Sequence, residues 1–221
     1  MARYDGLADW YEERVGAQPG TLIAARVAVD LLGSGPGSVV DIGCGTGLLF
    51  PSLVGAGWSV TGVDVSADQL RVAAERASQL DVRLVQADAL KLPLDDETFD
   101  AACLIRVLTD VDDPSVALRE AARVVVPGGR VVVVTVHPCF VGPNVRLEPD
   151  GSRLVFPGYR DAGWHGSGPG IGDGIRGRVG TRHVTLAELL SAMASSGLRT
   201  EVVAEPGEEP LPTLFAFRAR K

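Results

Sequence analysis

Five short apolar runs punctuate the first 137 residues, SVVDIG, WSVTGVDV, VRLVQAD, FDAACLI and GRVVVVTVH, and stretches with helical spacing separate several of them. Apolar strands alternating with helices predict crossover units and a parallel, doubly wound sheet. Helices are expected over Leu48 to Ala56, Ala67 to Leu80 and Pro114 to Val125. Ser66 and Asp113 stand just ahead of the last two, where a side-chain oxygen can accept from the free amides of the first turn. Pro127, Gly128 and Gly129 are expected to end the third helix before the valine-rich strand begins.

The pattern lapses between Pro138 and Gly180, which hold 11 glycines among 43 residues and a few aromatics, Phe140, Phe156, Tyr159 and Trp164. This segment is expected to be a long loop or small cap; in compact domains such segments are functional lids or disordered insertions. Regular spacing returns in HVTLAELLSAMASSGL, where Thr185 and Glu188 have the separation of a capping box. LRTEVVAE and LPTLFAFRA then read as two strands, joined by Pro206 to Pro212 and expected to close the sheet as an antiparallel hairpin. At the other end, YDGLADWYEERV sets Tyr4, Leu7, Trp10, Tyr11 and Arg14 near one helical face. No internal repeat or second boundary is visible, so residues 1–221 are expected to form a single domain.

Composition narrows the partners. With 46% hydrophobic and 22% charged residues and a mean hydropathy of +0.17, the chain has the balance of a soluble globular protein. It has no apolar run near the ~18 residues of a membrane span. The start, MARYDGLADWYEERVG, carries acids and no apolar core of a secretory signal, so a cytoplasmic protein is expected. A net charge of -7 and a pI of about 5.0 disfavour a nucleic-acid footprint or an anionic membrane surface and favour a small-molecule partner. Cys44, Cys103 and Cys139 are odd in number and lack CxxC spacing or a nearby His pair, so they read as buried thiols; no disulfide framework or metal site is expected.

The chemistry concentrates in VVDIGCGTGLL, residues 39–49. Glycines at a strand-to-helix turn let a ligand approach the backbone where amides point outward. Here the glycines alternate, Gly43, Gly45 and Gly47, so the third comes one residue earlier than in the dinucleotide fingerprint Gly-x-Gly-x-x-Gly. Asp41 precedes them; an acid there suits a cationic group such as an α-ammonium better than a diphosphate. The second strand ends in Asp64, placed to accept from both hydroxyls of a ribose, and the third is followed by Gln86-Ala87-Asp88-Ala89, placed to meet an adenine amine.

With these residues the chain resembles the class I S-adenosylmethionine-dependent methyltransferases, in particular the small-molecule group with a methyltransferase-11 type core. Asp41, Gly43, Gly45 and Gly47 match the family's Asp/Glu-x-Gly-x-Gly-x-Gly, Asp64 its ribose acid and Asp88 its adenine-side acid. FDAACLIRVLTDVDDP and LREAARVVVPGGRVVVV are similar to the segments around its fourth and fifth strands. The resemblance implies a Rossmann-like α/β fold: a seven-stranded sheet with a reversed last strand, helices on both faces and an insertion after the fifth strand at residues 138–180. It implies S-adenosyl-L-methionine as cofactor and S-adenosyl-L-homocysteine as product, with Cys44, Val65, Ala87, Ala89 and Ile105 also against the cofactor. It further implies that residues 1–33 form lid helices, with Tyr11 near the methionine end.

The acceptor side is less determined. Relatives carry a small polar or His-containing stretch after the fourth strand, where this chain has Ile105-Arg106-Val107-Leu108. Arg106 is a candidate for holding a substrate carboxylate; an ion pair is the alternative. Methyl transfer is an in-line displacement that needs a base only if the acceptor is protonated. His137, at the end of the fifth strand, and His183, ahead of the capped helix, are the candidate bases, and structural roles are the alternative. Phe140 and Trp164 are candidates to line an acceptor pocket. The expected function is therefore methyl transfer to an oxygen or nitrogen of a small organic molecule. A nicotinamide-dependent oxidoreductase and a non-catalytic cofactor-binding module are the rivals.

Overall fold

The computed structural model describes residues 2–16 and 18–221. Its centre is a sheet of seven strands: β1 Gly37–Ile42, β2 Trp58–Asp64, β3 Arg83–Gln86, β4 Phe99–Ile105, β5 Val125–Val136, β10 Arg199–Ala204 and β11 Leu214–Arg220. The spatial order is β3-β2-β1-β4-β5-β11-β10. β1 to β5 pair in parallel, whereas β11 runs antiparallel to both β5 and β10. The strand order reverses direction between β1 and β4, so a crevice opens at their carboxyl ends.

Period-two alternation decides which face each core residue serves. Val40, Ile42, Ala102, Leu104, Val131 and Val133 join one apolar cluster, which includes Leu118 of helix α5 (Pro114–Val124) and Leu189 of helix α7 (Leu186–Ser195). Their neighbours Val39, Ala101, Cys103, Val132 and Val134 join the other. There they meet helix α2 (Pro19–Leu32), α3 (Phe50–Gly55) and α4 (Ala67–Leu80) through Ala28, Phe50 and Ala73. Burial of both faces explains why the central strands read as continuous apolar runs.

The capping expectations hold. Ser66 Oγ accepts from Gln69 N at 3.2 Å, Asp113 accepts from Ser115 N and Val116 N, and Thr185 forms a reciprocal capping box with Glu188. One boundary differs. α5 ends at Val124 and β5 begins at Val125, carrying Pro127-Gly128-Gly129 inside the strand through an irregularity opposite Phe99 to Ala101. Gly129 belongs there because a Cβ would lie 2.7 Å from Asp100 O, and Lys221 N donates to Gly129 O at 3.1 Å, extending the ladder.

The segment after β5 is built from two small hairpins and a helical turn. β6 (Val145–Leu147) pairs with β7 (Arg153–Val155), β8 (Gly163–His165) pairs with β9 (Thr181–His183), and α6 (Ile175–Val179) lies between β8 and β9. Among the described residues no helix is long and apolar enough to cross a membrane.

Candidate functional site

The turn after β1 is held open by its own hydrogen bonds. Gly43 N and Cys44 N both donate to Val63 O, at 2.8 and 2.9 Å, which ties the turn to β2. Gly43 has φ +75° and a Cβ there would lie 2.5 Å from Val107, so both conformation and contact require glycine. Gly45 has φ +55° with only Gln69 Oε1 within reach, at 3.6 Å; its open side faces a cavity. That cavity is about 420 Å³, within the range of small-molecule sites.

Asp64 organises this cavity. One carboxylate oxygen accepts from Gly45 N at 2.9 Å and the other from Ser66 N at 2.8 Å, so a single side chain links the glycine turn to the start of α4. Burial pushes its pKa up, against the pull of those two amides. Gln69, on α4, lines the same cavity, and among the described residues both atoms of its buried side-chain amide lack a hydrogen-bond partner. Buried amides are rarely left in that state, so the arrangement fits a polar ligand that completes them. Val65, half exposed, adds an apolar wall, and Asp88, whose Oδ1 accepts from Leu90 N at 2.9 Å, remains exposed at the rim.

The structure brings Tyr11, Gly43, Gly45, Asp64 and Val65 to this cavity together with Ala87, Asp88, Ala89, Ile105 and Arg106. It does not bring Asp41, Cys44 or Gly47. Asp41 is 2% exposed and lies below the turn, inside β1, paired in register with Gly62 and Cys103. Burial, reinforced by the nearby Asp64 charge, raises its pKa to about 7. Cys44 is buried in the lower core, where desolvation raises its thiol pKa, and the ring of Phe50 occupies the space beside Gly47.

The acceptor-side expectations fare differently. His137 is 3% exposed and does not line the cavity. Its Nε2 lies 2.7 Å from Glu205 Oε1, its Nδ1 accepts from Cys139 N at 3.1 Å, and its ring packs between Phe140 and Phe215. Phe140 is thereby used in packing. His183, also 3% exposed, places Nε2 2.8 Å from Tyr159 O. Trp164 has its face covered by the Arg3 guanidinium, 3.8 Å from the ring centroid. None of these four side chains lines the cavity, and His183 borders a separate, smaller one.

The amino-terminal segment contributes Ala2, Arg3, Tyr4 and Tyr11 to the lining of the cavity. Helix α1 (Ala8–Arg14) has no side-chain cap of its own; Asp68 of α4 accepts from Gly6 N at 2.9 Å and Ala8 N at 3.0 Å in its place. Ser66 Oγ donates to Asp5 at 2.7 Å and Tyr4 OH donates to Asp110 at 3.1 Å. Asp110 also takes a two-pronged bond from Arg176 of α6, which donates as well to Thr109 Oγ1. Burial raises the phenol pKa of both Tyr4 and Tyr11. Asp110 and Arg176 are 66 residues apart; Asp110 falls in the family-like segment after β4, whereas Arg176 belongs to no recognisable motif.

A doubly wound sheet with a glycine turn after β1 and an acid at the end of β2 defines a nucleotide-binding α/β class. A family model described as a methyltransferase domain matches residues 40–133. The demethylmenaquinone methyltransferase of Thermobifida fusca is 37% identical over 164 residues, covering 71% of this chain and 69% of that protein. That of Renibacterium salmoninarum is 38% identical over 120 residues, covering 53% of this chain and 49% of that protein. An S-adenosylmethionine-dependent methyltransferase structure from Mesorhizobium loti superposes with a TM-score of 0.73 at 25% identity, covering 95% of this chain and 99% of that one. The chain belongs to the S-adenosylmethionine-dependent methyltransferase family. It spans about half the length of several of the curated relatives it matches.

Proposed function

We propose that this protein transfers a methyl group from S-adenosylmethionine to an oxygen or nitrogen of a small organic acceptor. The observation that carries this reading is the Asp64 carboxylate, fixed by Gly45 and Ser66 amides inside a cavity that also holds the unpartnered Gln69 amide. In this reading Asp64 accepts from the ribose hydroxyls with its remaining lone pairs, Asp88 and Ala89 meet the adenine, and Val65 packs against the nucleoside. Gln69 and the Gly45 turn take the amino-acid end. When bound, the cofactor supplies a sulfonium methyl whose carbon–sulfur bond breaks towards sulfur as the acceptor atom bonds to carbon. The chain's contribution is to hold the cofactor, align the acceptor and keep water out beneath the roof of Tyr4 and Tyr11.

Relatives named for demethylmenaquinone and 2-phytyl-1,4-naphtoquinone add quinone-type rings to the acceptor panel as the contrasting class, since such a ring offers neither an amine nor a hydroxyl to methylate. A small molecule also accords with the net charge of -7, and we infer a cytoplasmic setting. The test is calorimetry with S-adenosylhomocysteine and with NADH, followed by turnover of S-adenosylmethionine over an acceptor panel. S-adenosylhomocysteine binding with methyl transfer supports the proposal. Preference for NADH would favour an oxidoreductase, and tight binding without turnover a non-catalytic module.

A further inference from the structure

Beside the cofactor cavity lies a second cleft of about 590 Å³, which shares Arg106, Ile175 and Arg176 with it. Four arginines, Arg14, Arg106, Arg176 and Arg178, line it with one acid, Asp173, in a chain whose net charge is -7. Arg176 is neutralised by Asp110. Among the described residues Arg14, Arg106 and Arg178 form no ion pair. Local charge in the cleft therefore opposes the charge of the whole molecule.

Arg106 is the most unusual of the three. It adopts φ +62°, a left-handed conformation uncommon outside glycine, fixed by its own amide donating to Val134 O at 2.6 Å. Its Nη1 donates to the neutral Thr21 Oγ1 at 2.9 Å, while its buried Nε has no partner among the described residues. A partly buried guanidinium with strain in its backbone and no counter-charge is costly for the fold alone. Arg178 is placed differently: its guanidinium carbon lies over the Trp10 ring, 4.5 Å from the centroid, and the side chain is exposed. Arg14 comes from the roof helix α1 and Arg178 from α6, so the charges converge from three separate parts of the chain.

We propose that the acceptor carries an anionic group, a carboxylate or a phosphate, held in this cleft by Arg14, Arg106 and Arg178. The word acceptor rests on the methyl-transfer reading above; the anion site does not. Guanidinium groups bind these oxyanions through paired N–H bonds, and the shared border at Arg106 and Ile175 lets one molecule reach from the cleft to the cofactor cavity.

The test is calorimetry on the full chain, with and without saturating S-adenosylhomocysteine, comparing benzoate with benzamide and phenyl phosphate with phenol. At least one anion is expected to bind about tenfold or more tightly than its neutral partner. That margin should shrink to within about threefold in the Arg14→Gln, Arg178→Gln double variant, whose two changed side chains are exposed. It should also fall in the wild type as salt rises from roughly 50 to 500 mM, a measurement that does not depend on any variant folding. Whichever pair gives the margin names the anion. Equal binding of charged and neutral partners, no anion binding below about 10 mM, or a margin untouched by the double variant and by salt overturns the proposal. Failure of S-adenosylhomocysteine to bind would instead overturn the methyl-transfer reading, while the margin measured without it still decides this one.

Discussion

The two cavities that meet at Arg106 are built on opposite electrostatic plans. On the glycine-turn side Asp110 is paired with Arg176 and Asp112 with Arg3, which leaves Asp64 and Asp88 facing the space and a further acid, Asp41, beneath the floor. On the other side three arginines that have no carboxylate partner among the described residues face a single aspartate. The acidic half is carried by β1, the end of β2 and the loop after β3, positions fixed by the sheet; the basic half is carried by α1, the turn after β4, and α6. The difference teaches that the scaffold determines the cofactor, while the loops choose what it meets.

The comparison can be broken first at Gly45. Gly45→Val places a β-branched residue at φ +55° on the open side of the turn, and calorimetry should show S-adenosylhomocysteine affinity falling by more than about a hundredfold. Far-UV circular dichroism should be unchanged. Normal binding would mean that the turn does not approach the ligand. Asp64→Ala should cost roughly 2 to 3 kcal/mol of cofactor binding through the loss of charge-assisted bonds, and Asp64→Asn less, measured the same way.

A third experiment probes the acid under the floor. The folded pKa of Asp41, about 7, lies above the unfolded value of about 3.9. The folded state therefore keeps a proton that the unfolded state has lost, and the stability this residue contributes at low pH disappears as pH rises through about 7. Asp41→Asn should stabilise the protein relative to wild type at pH 8 by on the order of 1 to 2 kcal/mol more than at pH 4, after allowing for relaxation around a buried acid. Urea melts at both pH values would reveal this; an equal effect at the two would refute the buried-acid account. The smallest effect is expected at His137. Because it sits away from both cavities, His137→Ala should keep turnover within about threefold of wild type while lowering the melting temperature. A sharp fall in turnover with S-adenosylhomocysteine affinity intact would return it to the chemistry.

The sequence was most legible where local rules and tertiary packing agree. Val39 to Ile42 alternate between two buried faces, Ser66, Asp113 and Thr185 cap the helices they precede, and Gly43 and Asp64 sit where the sheet opens. The buried place of Asp41 was not legible because spacing tells which residue precedes the turn but not which way its side chain goes; two residues before Gly43 it still belongs to the strand. Gln69 had a signal that could have been read: with Ala73 and Ala77 it forms the buried i, i+4, i+8 stripe of α4, and a polar amide among alanines there is out of place. Arg176 and Arg178 left no such trace. Their juxtaposition depends on how a glycine-rich stretch folds back over α1, and no periodicity records that path.

Helix α1 has seven residues and takes its first-turn acceptor from Asp68 of another helix. A helix so short is not self-sustaining in water, and nothing within it replaces that carboxylate. Separation of this segment from α4 is therefore also its melting. If the site opens at this segment, opening is expected to be an order–disorder event, with a free energy set by local unfolding rather than by a hinge between rigid parts. Amide protons of Ala8 to Arg14 should exchange together, faster than those of the central strands, and slow in concert once a ligand fills the space below.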